Sequence, residues 1–433
     1  MKERSTLAEV PSDPAALFPY SASDKTRPPL KRPVLVLGWI SRIVVTIAHS
    51  LHRHGVPVDV VDFATAPPPT SRAIRNFTYI PRPDLDPNGF VSQLRNFIRM
   101  GGHDMVIPTD DQTLVALTEH YHDLKDLVYI ACPPPEITGL ILDKYVSLEL
   151  AQNCRIRIPK TKLITNSGQL SELSSSFPFP WFLKPARKEI RAEEIKTIPL
   201  TTLDEVVEKF PAAQEFDPPL LLQERCAGAG VGIELLLHEA KCVAVFQHRR
   251  LIEDPYTGGV SAIAIAERPD PALVEQSLTL LRAMNWEGPA MVEYKVDPRD
   301  GTAMFMEVNG RYWGTISLPV FAGIDFPLYH WQIVHGEVPS VPENYKVGMK
   351  WRWTAGYIER FHRLMVDSKR SSVARKELVR TLVRLPFSFG PWTRDSLFRF
   401  SDPKPGFLEA FRVTRYFCWH DLTRFFGFLF RRR

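Results

Sequence analysis

Cysteine is scarce in this 433-residue sequence: there are five, none in a C-x-x-C pair. Zinc-ribbon and thioredoxin-type sites are thereby excluded, and reduced thiols in a cytosol-like compartment are expected. No window holds about 18 uninterrupted apolar residues, so no membrane-spanning helix is expected. The start lacks the basic and apolar regions of a signal peptide. A cytoplasmic protein with a loose, polar leader over residues 1–30 is the expectation. Charge of one sign is also lacking. The net charge is +5, which favours anionic ligands mildly without the clustered basic face of a nucleic-acid binder. There is no internal repeat, no low-complexity tract and no G-x-G-x-x-G dinucleotide fingerprint.

What is present suits an ordinary globular chain. The apolar share is 44% and the charged share 24%, enough to bury cores in two or three units. The 38 prolines gather at joints such as Pro133–Pro135 and Pro218–Pro219. Residues 33–63 have the pattern strand, helix, strand. Val34–Leu37 and Val58–Val61 flank Ile40, Ile43, Val44, Ile47 and Leu51 at helical spacing, and Gly55 stands at the helix stop. That is a βαβ unit on a parallel sheet. A second strand-turn-helix follows at Asp104–His120. Its acidic pair Asp110-Asp111 serves either a site or a favourable helix start. Beyond the proline joint the pattern gives a helix over Ile137–Asn153, strands at Trp181–Lys184 and Leu220–Glu224, and antiparallel stretches to about residue 310.

The densest chemistry lies in Gly288–Gly314. Two apolar runs, Met291–Val296 and Ala303–Val308, flank Asp297-Pro298-Arg299-Asp300-Gly301, a hairpin signal. The turn places Glu293 opposite residue 306, 307 or 308, and Glu307 and Asn309 share a face. In the middle register two carboxylates oppose each other in an apolar hairpin, which destabilises it unless a hard divalent cation sits between them. A solvent-facing pair of glutamates is the alternative.

Here the sequence resembles the ATP-grasp superfamily, in its carbamoyl-phosphate-synthase-like and amino-acid carboxylate–amine ligase branches. The resemblance covers about residues 33–330. It rests on Glu293 followed by Glu307-x-Asn309-x-Arg311, on Asp143-Lys144 after the proline joint, and on Phe182-Leu183-Lys184-Pro185. It implies that Glu293, Glu307 and Asn309 bind Mg2+ (or Mn2+), that Lys144 and Lys184 reach the phosphates of ATP, and that Lys184 and Arg311 support phosphoryl transfer. Leu221-Leu222-Gln223-Glu224 resembles the hinge that bonds the adenine edge, giving that role to Gln223 and Glu224. Gly228, Gly230 and Gly232 resemble the following glycine loop, although a flexible turn has the same composition.

Residues 248–261 look like a second-substrate segment. Arg249 and Arg250 offer donors for a carboxylate or phosphate, and Gly258, Gly259 and Ser261 offer backbone N–H groups; a solvated surface loop is the alternative. Two departures stand out. The family more often has proline where this chain has Gly310. Its glycine-rich flap is also replaced by Ala186-Arg187-Lys188-Glu189-Ile190-Arg191, so that either Arg187 and Lys188 cover the phosphates or closure is weaker.

The last stretch is basic, aromatic and mostly helical in pattern. Phe411, Cys418, Leu422, Phe425 and Leu429 form one helical stripe. It suits either packing on the body or a weak contact with an anionic membrane surface. Arg415 at its edge and Asp421 favour packing. The expected architecture is α/β. A leader (1–30) precedes a pre-ATP-grasp parallel domain (31–135), a two-lobed ATP-grasp domain (136–345) and a helical extension (346–433). The expected activity is ATP-dependent ligation of a small-molecule carboxylate to an amine. A phosphotransferase and a catalytically weak ATP-binding module on the same scaffold are the alternatives.

Overall fold

Three sheets carry the chain from Arg32 to Arg433, which forms one unit. The computed structural model describes residues 31–433 apart from 64–67, 174–176, 178, 191–196, 211–214, 257, 370, 389–392 and 431–433. Side chains at 171, 207, 387 and 418–430 are likewise outside the description. The expected leader and Arg191 therefore lie beyond the described residues.

The first sheet is parallel: β1 (Val34–Leu37), β2 (Val58–Asp62), β3 (Asn76–Tyr79), β4 (Met105–Pro108) and β5 (Tyr129–Ile130), in the order β3-β2-β1-β4-β5. Helix Ser41–His52 buries Ile43, Val44, Ile47 and Leu51 as its spacing dictates. The strand order reverses at β1 and β4. Their carboxyl ends form the switch point at which open α/β sheets bind ligands. At that point Asp110 caps helix Asp111–Glu119, its carboxylate accepting from the Thr113 N–H at 2.9 Å.

The second sheet is small and antiparallel. Its strands are β6 (Thr161–Asn166), β7 (Trp181–Pro185), β8 (Ile198–Leu200) and β9 (Glu215–Glu224), in the order β6-β9-β7-β8. It has a core of its own around Ile164, Leu170, Trp181, Leu183 and Leu222. The third sheet comprises β10 (Ala229–His238), β11 (Lys241–Asp254), β12 (Val260–Glu267), β13 (Gly288–Val296), β14 (Ala303–Asn309), β15 (Lys350–Arg352) and β16 (Thr393–Asp395). Their order is β14-β13-β10-β11-β12-β15-β16. It shares its core with the parallel sheet: Val34, Val36, Ile43 and Ile107 belong to one cluster with Phe246, Met291, Trp313 and Trp351.

Two expectations are corrected. The helix expected over Ile137–Asn153 is two helices, Pro135–Leu142 and Lys144–Asn153. Asp143 between them is extended, and its carboxylate accepts from the N–H groups of Tyr145 and Val146. A capping carboxylate inside an apolar periodic run restarts the helix there. The C-terminal stretch does contain helices Thr354–Asp367, Ser372–Ser388 and Lys404–Phe430. It also supplies β15 and β16 to the large sheet, with Trp351 wholly buried and its indole N–H on the Ser317 hydroxyl at 2.6 Å.

Gly310 explains one departure from the family pattern. A Cβ at this buried position would stand 2.2 Å from the Trp286 ring and 2.3 Å from the Ile141 methyl. Proline would meet the same atoms, so Trp286 occupies space that a larger residue 310 would need. Gly310→Ala should lower stability by about 1–3 kcal/mol through overpacking, and adding Trp286→Phe should recover part of it. Urea midpoints at unchanged slope provide the check; a neutral Gly310→Ala would refute the packing account.

A second prediction concerns helix Lys404–Phe430. Glu409 accepts from the Trp353 indole at 3.1 Å, and Arg42 stacks on that ring at 3.9 Å. Burial pushes the Glu409 carboxyl up to about 7, against the pull of Arg42. The folded value lies above the unfolded one, so the contribution to stability is full below the unfolded pKa and is lost as pH rises through about 7. Glu409→Gln should flatten this part of the stability–pH curve and be more stable than wild type at pH 8, by on the order of 1–3 kcal/mol. Parallel curves for the two proteins would refute it.

Candidate functional site

The acidic hairpin adopts the middle register: Glu293 on β13 is paired with Glu307 on β14. The register shifts just beyond, Tyr294 pairing with Phe305, so Met306 is the extra residue of a bulge. Glu293 is buried and Glu307 half-buried. Asn309 shares the face of Glu307 and donates from Nδ2 to its Oε1 at 3.3 Å. Two carboxylates and an amide oxygen are thus gathered at a strand end. Among the described residues no group of three His, Cys, Asp or Glu could hold a metal by protein ligands alone. The set present instead fits magnesium, a hard cation that takes one or two carboxylates and fills its octahedron with phosphate and water oxygens. Manganese accepts the same oxygen donors.

Glu293 is held by an arginine from two strands away. In the order β13-β10-β11, Arg250 on β11 must cross β10 to reach it. The crossing is open because Gly230 and Gly232 lie on β10 opposite Lys295 and Glu293. A Cβ on Gly230 would stand 2.8 Å from the Arg250 Cδ. Arg250 Nη2 donates to Glu293 at 2.5 Å and Nη1 to the Gly259 carbonyl at 2.9 Å. The expected glycine loop is corrected accordingly. Only Gly228, at φ +100, precedes the strand, whereas Gly230 and Gly232 lie within β10, Gly230 paired with β13 and Gly232 with both β13 and β11.

Arg249, Gly258 and Ser261 of the 248–261 segment do not join them. Neighbouring strand residues point to opposite faces, so Arg249 turns away and donates to Glu267 at 2.6 Å. The Gly258 N–H closes a turn on Pro255, and the Ser261 hydroxyl bonds the Ile263 carbonyl.

Cations surround Glu307. Lys144 opens its helix, and Lys184 comes from β7. The Lys188 ammonium reaches Asp111 at 3.4 Å and the Asn309 amide oxygen at 3.5 Å. Arg311 donates to Asp111 at 3.1 Å. Burial would raise the Glu307 pKa, but Lys188, Lys144 and Lys184 outweigh it and hold this carboxyl low. Glu293 goes the other way: burial raises it, Glu307 adds to the rise, and Arg250 only partly opposes. Burial and the neighbouring Lys144 bring Lys184 down to about 8, against Glu307 and Glu293. Neither Lys144 nor Lys184 has an ion-pair partner within 4.0 Å among the described residues.

The side chains of the expected hinge residues are engaged within their own sheet. Gln223 is buried, its amide donating to the Thr161 hydroxyl at 3.0 Å, and the Glu224 carboxylate accepts the Lys160 N–H at 2.8 Å. These side chains hold β9 against β6, so the adenine-edge role expected of them is not supported by free side-chain groups. Glu253 and Lys295 were missed, paired at 3.1 Å beside Arg250. Lys295 had a signal, since it lies two residues from Glu293 on one strand face. Asp111 had only its acidic neighbour, and Lys188 lies in an irregular segment with no period to place it.

Arg250 and Glu293 form a largely buried pair, so removing one partner exposes the other's desolvation cost. Arg250→Met should destabilise the metal-free protein by about 3 kcal/mol or more, and Arg250→Met/Glu293→Gln should recover most of it. A double variant no more stable than the single would refute the pairing account.

No protein-family model and no curated protein sequence matches this chain. Solved structures do. An L-amino acid ligase from Bacillus licheniformis is similar at a TM-score of 0.57 and 16% identity, over 71% of this chain and 77% of that one. The biotin carboxylase domain of the Hydrogenobacter thermophilus 2-oxoglutarate carboxylase, solved with MgADP, ADP and bicarbonate, gives 0.56 and 14%, over 74% and 73%. The N5-carboxyaminoimidazole synthetase from Staphylococcus aureus gives 0.56 and 13%, over 74% and 82%. These neighbours are ATP-grasp enzymes. With its carboxylate hairpin in a large mixed sheet beside a parallel and a small antiparallel one, the chain has the ATP-grasp fold.

Proposed function

We propose that this chain is an ATP- and magnesium-dependent ligase that activates a small-molecule carboxylate as an acyl phosphate for capture by an amine. One observation carries the reading. Glu293 and Glu307 are opposed at a strand end, near two lysines, Lys144 and Lys184, that have no ion-pair partner within 4.0 Å among the described residues. Two neighbouring ammonium groups without a close partner of their own are a cost that a nucleotide polyphosphate removes. The similarity to an L-amino acid ligase and to a carboxylase domain solved with MgADP supports the same reading.

In it, Glu293, Glu307 and Asn309 would hold magnesium, which when bound supplies positive charge to the transferring phosphoryl oxygens. Lys144 and Lys184 bind the phosphates. Arg311, fixed by Asp111, stabilises the charge that develops as the carboxylate oxygen attacks the γ-phosphorus. Lys188 supports a working enzyme over a weak binding module, because it supplies a cation to the cluster where the family's flap has glycine. Arg250 and the Gly259 carbonyl border the carboxylate pair on the acceptor side. The division into residues 31–135, 136–345 and 346–433, and a cytoplasmic location, belong to the same proposal.

The test is ADP release over a panel of amino acids, dipeptides and small amines. Wild type should form ADP only with a carboxylate and magnesium present, and phosphate release should need the amine as well; a released phosphorylated product that no amine converts to free phosphate would favour the phosphotransferase. Glu307→Gln should cut turnover by about a hundredfold or more with an unchanged circular dichroism spectrum. Near wild-type ADP formation in that variant would overturn the metal assignment.

A further inference from the structure

The charge of this chain is divided unevenly. From Lys346 to Arg433 the sequence holds 20 Lys and Arg against 7 Asp and Glu, whereas residues 1–345 hold 34 against 42. A nearly balanced protein is thus an acidic body with a strongly basic end.

Helix Lys404–Phe430 within that end has two apolar sides. One faces the body: Pro405 is buried, Glu409 accepts the Trp353 indole, and Phe417 stacks on His362 with centroids 4.1 Å apart. The other faces water. Phe407 and Phe411, one turn apart, are 62% and 63% exposed, and Phe400 just before the helix is 92% exposed. Phe398 meets both Phe400 and Phe407 edge to face, so these rings form one group. Lys404 and Arg415 are exposed beside them. Phe411, the first residue of the stripe, is thus exposed rather than packed on the body. In the sequence its spacing continues through Cys418, Leu422, Phe425 and Leu429, whose side chains lie outside those described. Helix Ser372–Ser388 repeats the pattern: it buries Ala374 and Thr381 and exposes Val379, Leu382 and Val383 among Arg375, Lys376, Arg380 and Arg384.

A helix apolar on two sides suits a place between a protein surface and another apolar medium. Aromatic and aliphatic side chains ringed by Lys and Arg fit an anionic lipid surface, where rings enter the headgroup boundary and cations meet phosphate and carboxylate. Nucleic acid would use the charge but not the aliphatic row on Ser372–Ser388. No described helix is long and apolar enough to cross a membrane, so the contact is with the surface. We infer that the C-terminal segment docks this protein on an anionic membrane surface, through Phe400, Phe407 and Phe411 with the basic residues around them.

The test is co-sedimentation of the full chain with vesicles of phosphatidylcholine alone and of equal parts phosphatidylcholine and phosphatidylserine, at low and high salt. Binding is expected only to the anionic vesicles, weakened by salt. It should fall about tenfold or more in Phe407→Ser/Phe411→Ser, and fall with less salt dependence in Lys404→Gln/Arg415→Gln. These positions are exposed, and an unchanged melting temperature confirms folding in both variants. No binding of wild type to anionic vesicles at low salt overturns the inference, as does binding untouched by both variants. A concentration-dependent dimer lost in Phe407→Ser/Phe411→Ser, without vesicle binding, also overturns it and assigns the face to a second copy. Preferential binding of duplex DNA over vesicles would do the same in favour of nucleic acid.

Discussion

Two carboxylates set side by side inside a sheet are the constraint around which this molecule is arranged. Glu293 and Glu307 repel each other and lose water together, and hydrophobic packing cannot offset that. The neighbouring structure answers in charge. Arg250 reaches Glu293 from two strands away, and that reach requires the glycines of β10. Lys144, Lys184 and Lys188 hold Glu307 ionised. Among the described residues, Lys144 and Lys184 have no ion-pair partner within 4.0 Å. On the proposed reading this field suits a polyanion that arrives with its own metal.

The position after Asn309 shows how packing accommodates such a site. With Gly310 the chain turns out of β14 directly beneath the Trp286 ring. The turn directs Arg311 toward Asp111, at the switch point of the parallel sheet. Glu307 and Asn309 thus share a face with glycine next in the chain and tryptophan filling the space beside it, because their positions are fixed by strand register rather than by the residue that follows.

What the sequence made legible was what periodicity and turn chemistry control. The βαβ unit followed from apolar spacing and Gly55, and the acidic hairpin from two apolar runs about a five-residue turn. The opposed glutamates were among three registers the turn allowed, and only the Met306 bulge selects one. Less legible was everything that depends on strand neighbours distant in sequence. Gly230 and Gly232 have the composition of a loop, yet they are strand residues whose missing side chains leave room for Arg250 at the first and for His248 and Met291 at the second. Arg249 and Arg250 look equivalent as letters, and alternation sends them to opposite faces. Gln223 and Glu224 end a strand as expected, but their side chains are taken by Thr161 and Lys160 across the sheet.

The three sheets also differ in what they contribute. The parallel and large mixed sheets share one core and hold Asp111, Arg250, the glutamates and Arg311 in a fixed frame. The small sheet keeps its own core around Trp181 and brings Lys184. In the proposed enzyme it is a lobe that shifts as a body, tied to the rest through Leu221 and Ala186 in the larger cluster. On the proposed reading, bringing Lys184 against Lys144 without a nucleotide is opposed by their mutual repulsion and by burial, the two effects that depress the Lys184 pKa. The negative charge of a triphosphate between them would outweigh both. Approach of the small lobe is then coupled to nucleotide binding through charge alone, and the same approach excludes water from the space where an acyl phosphate would form.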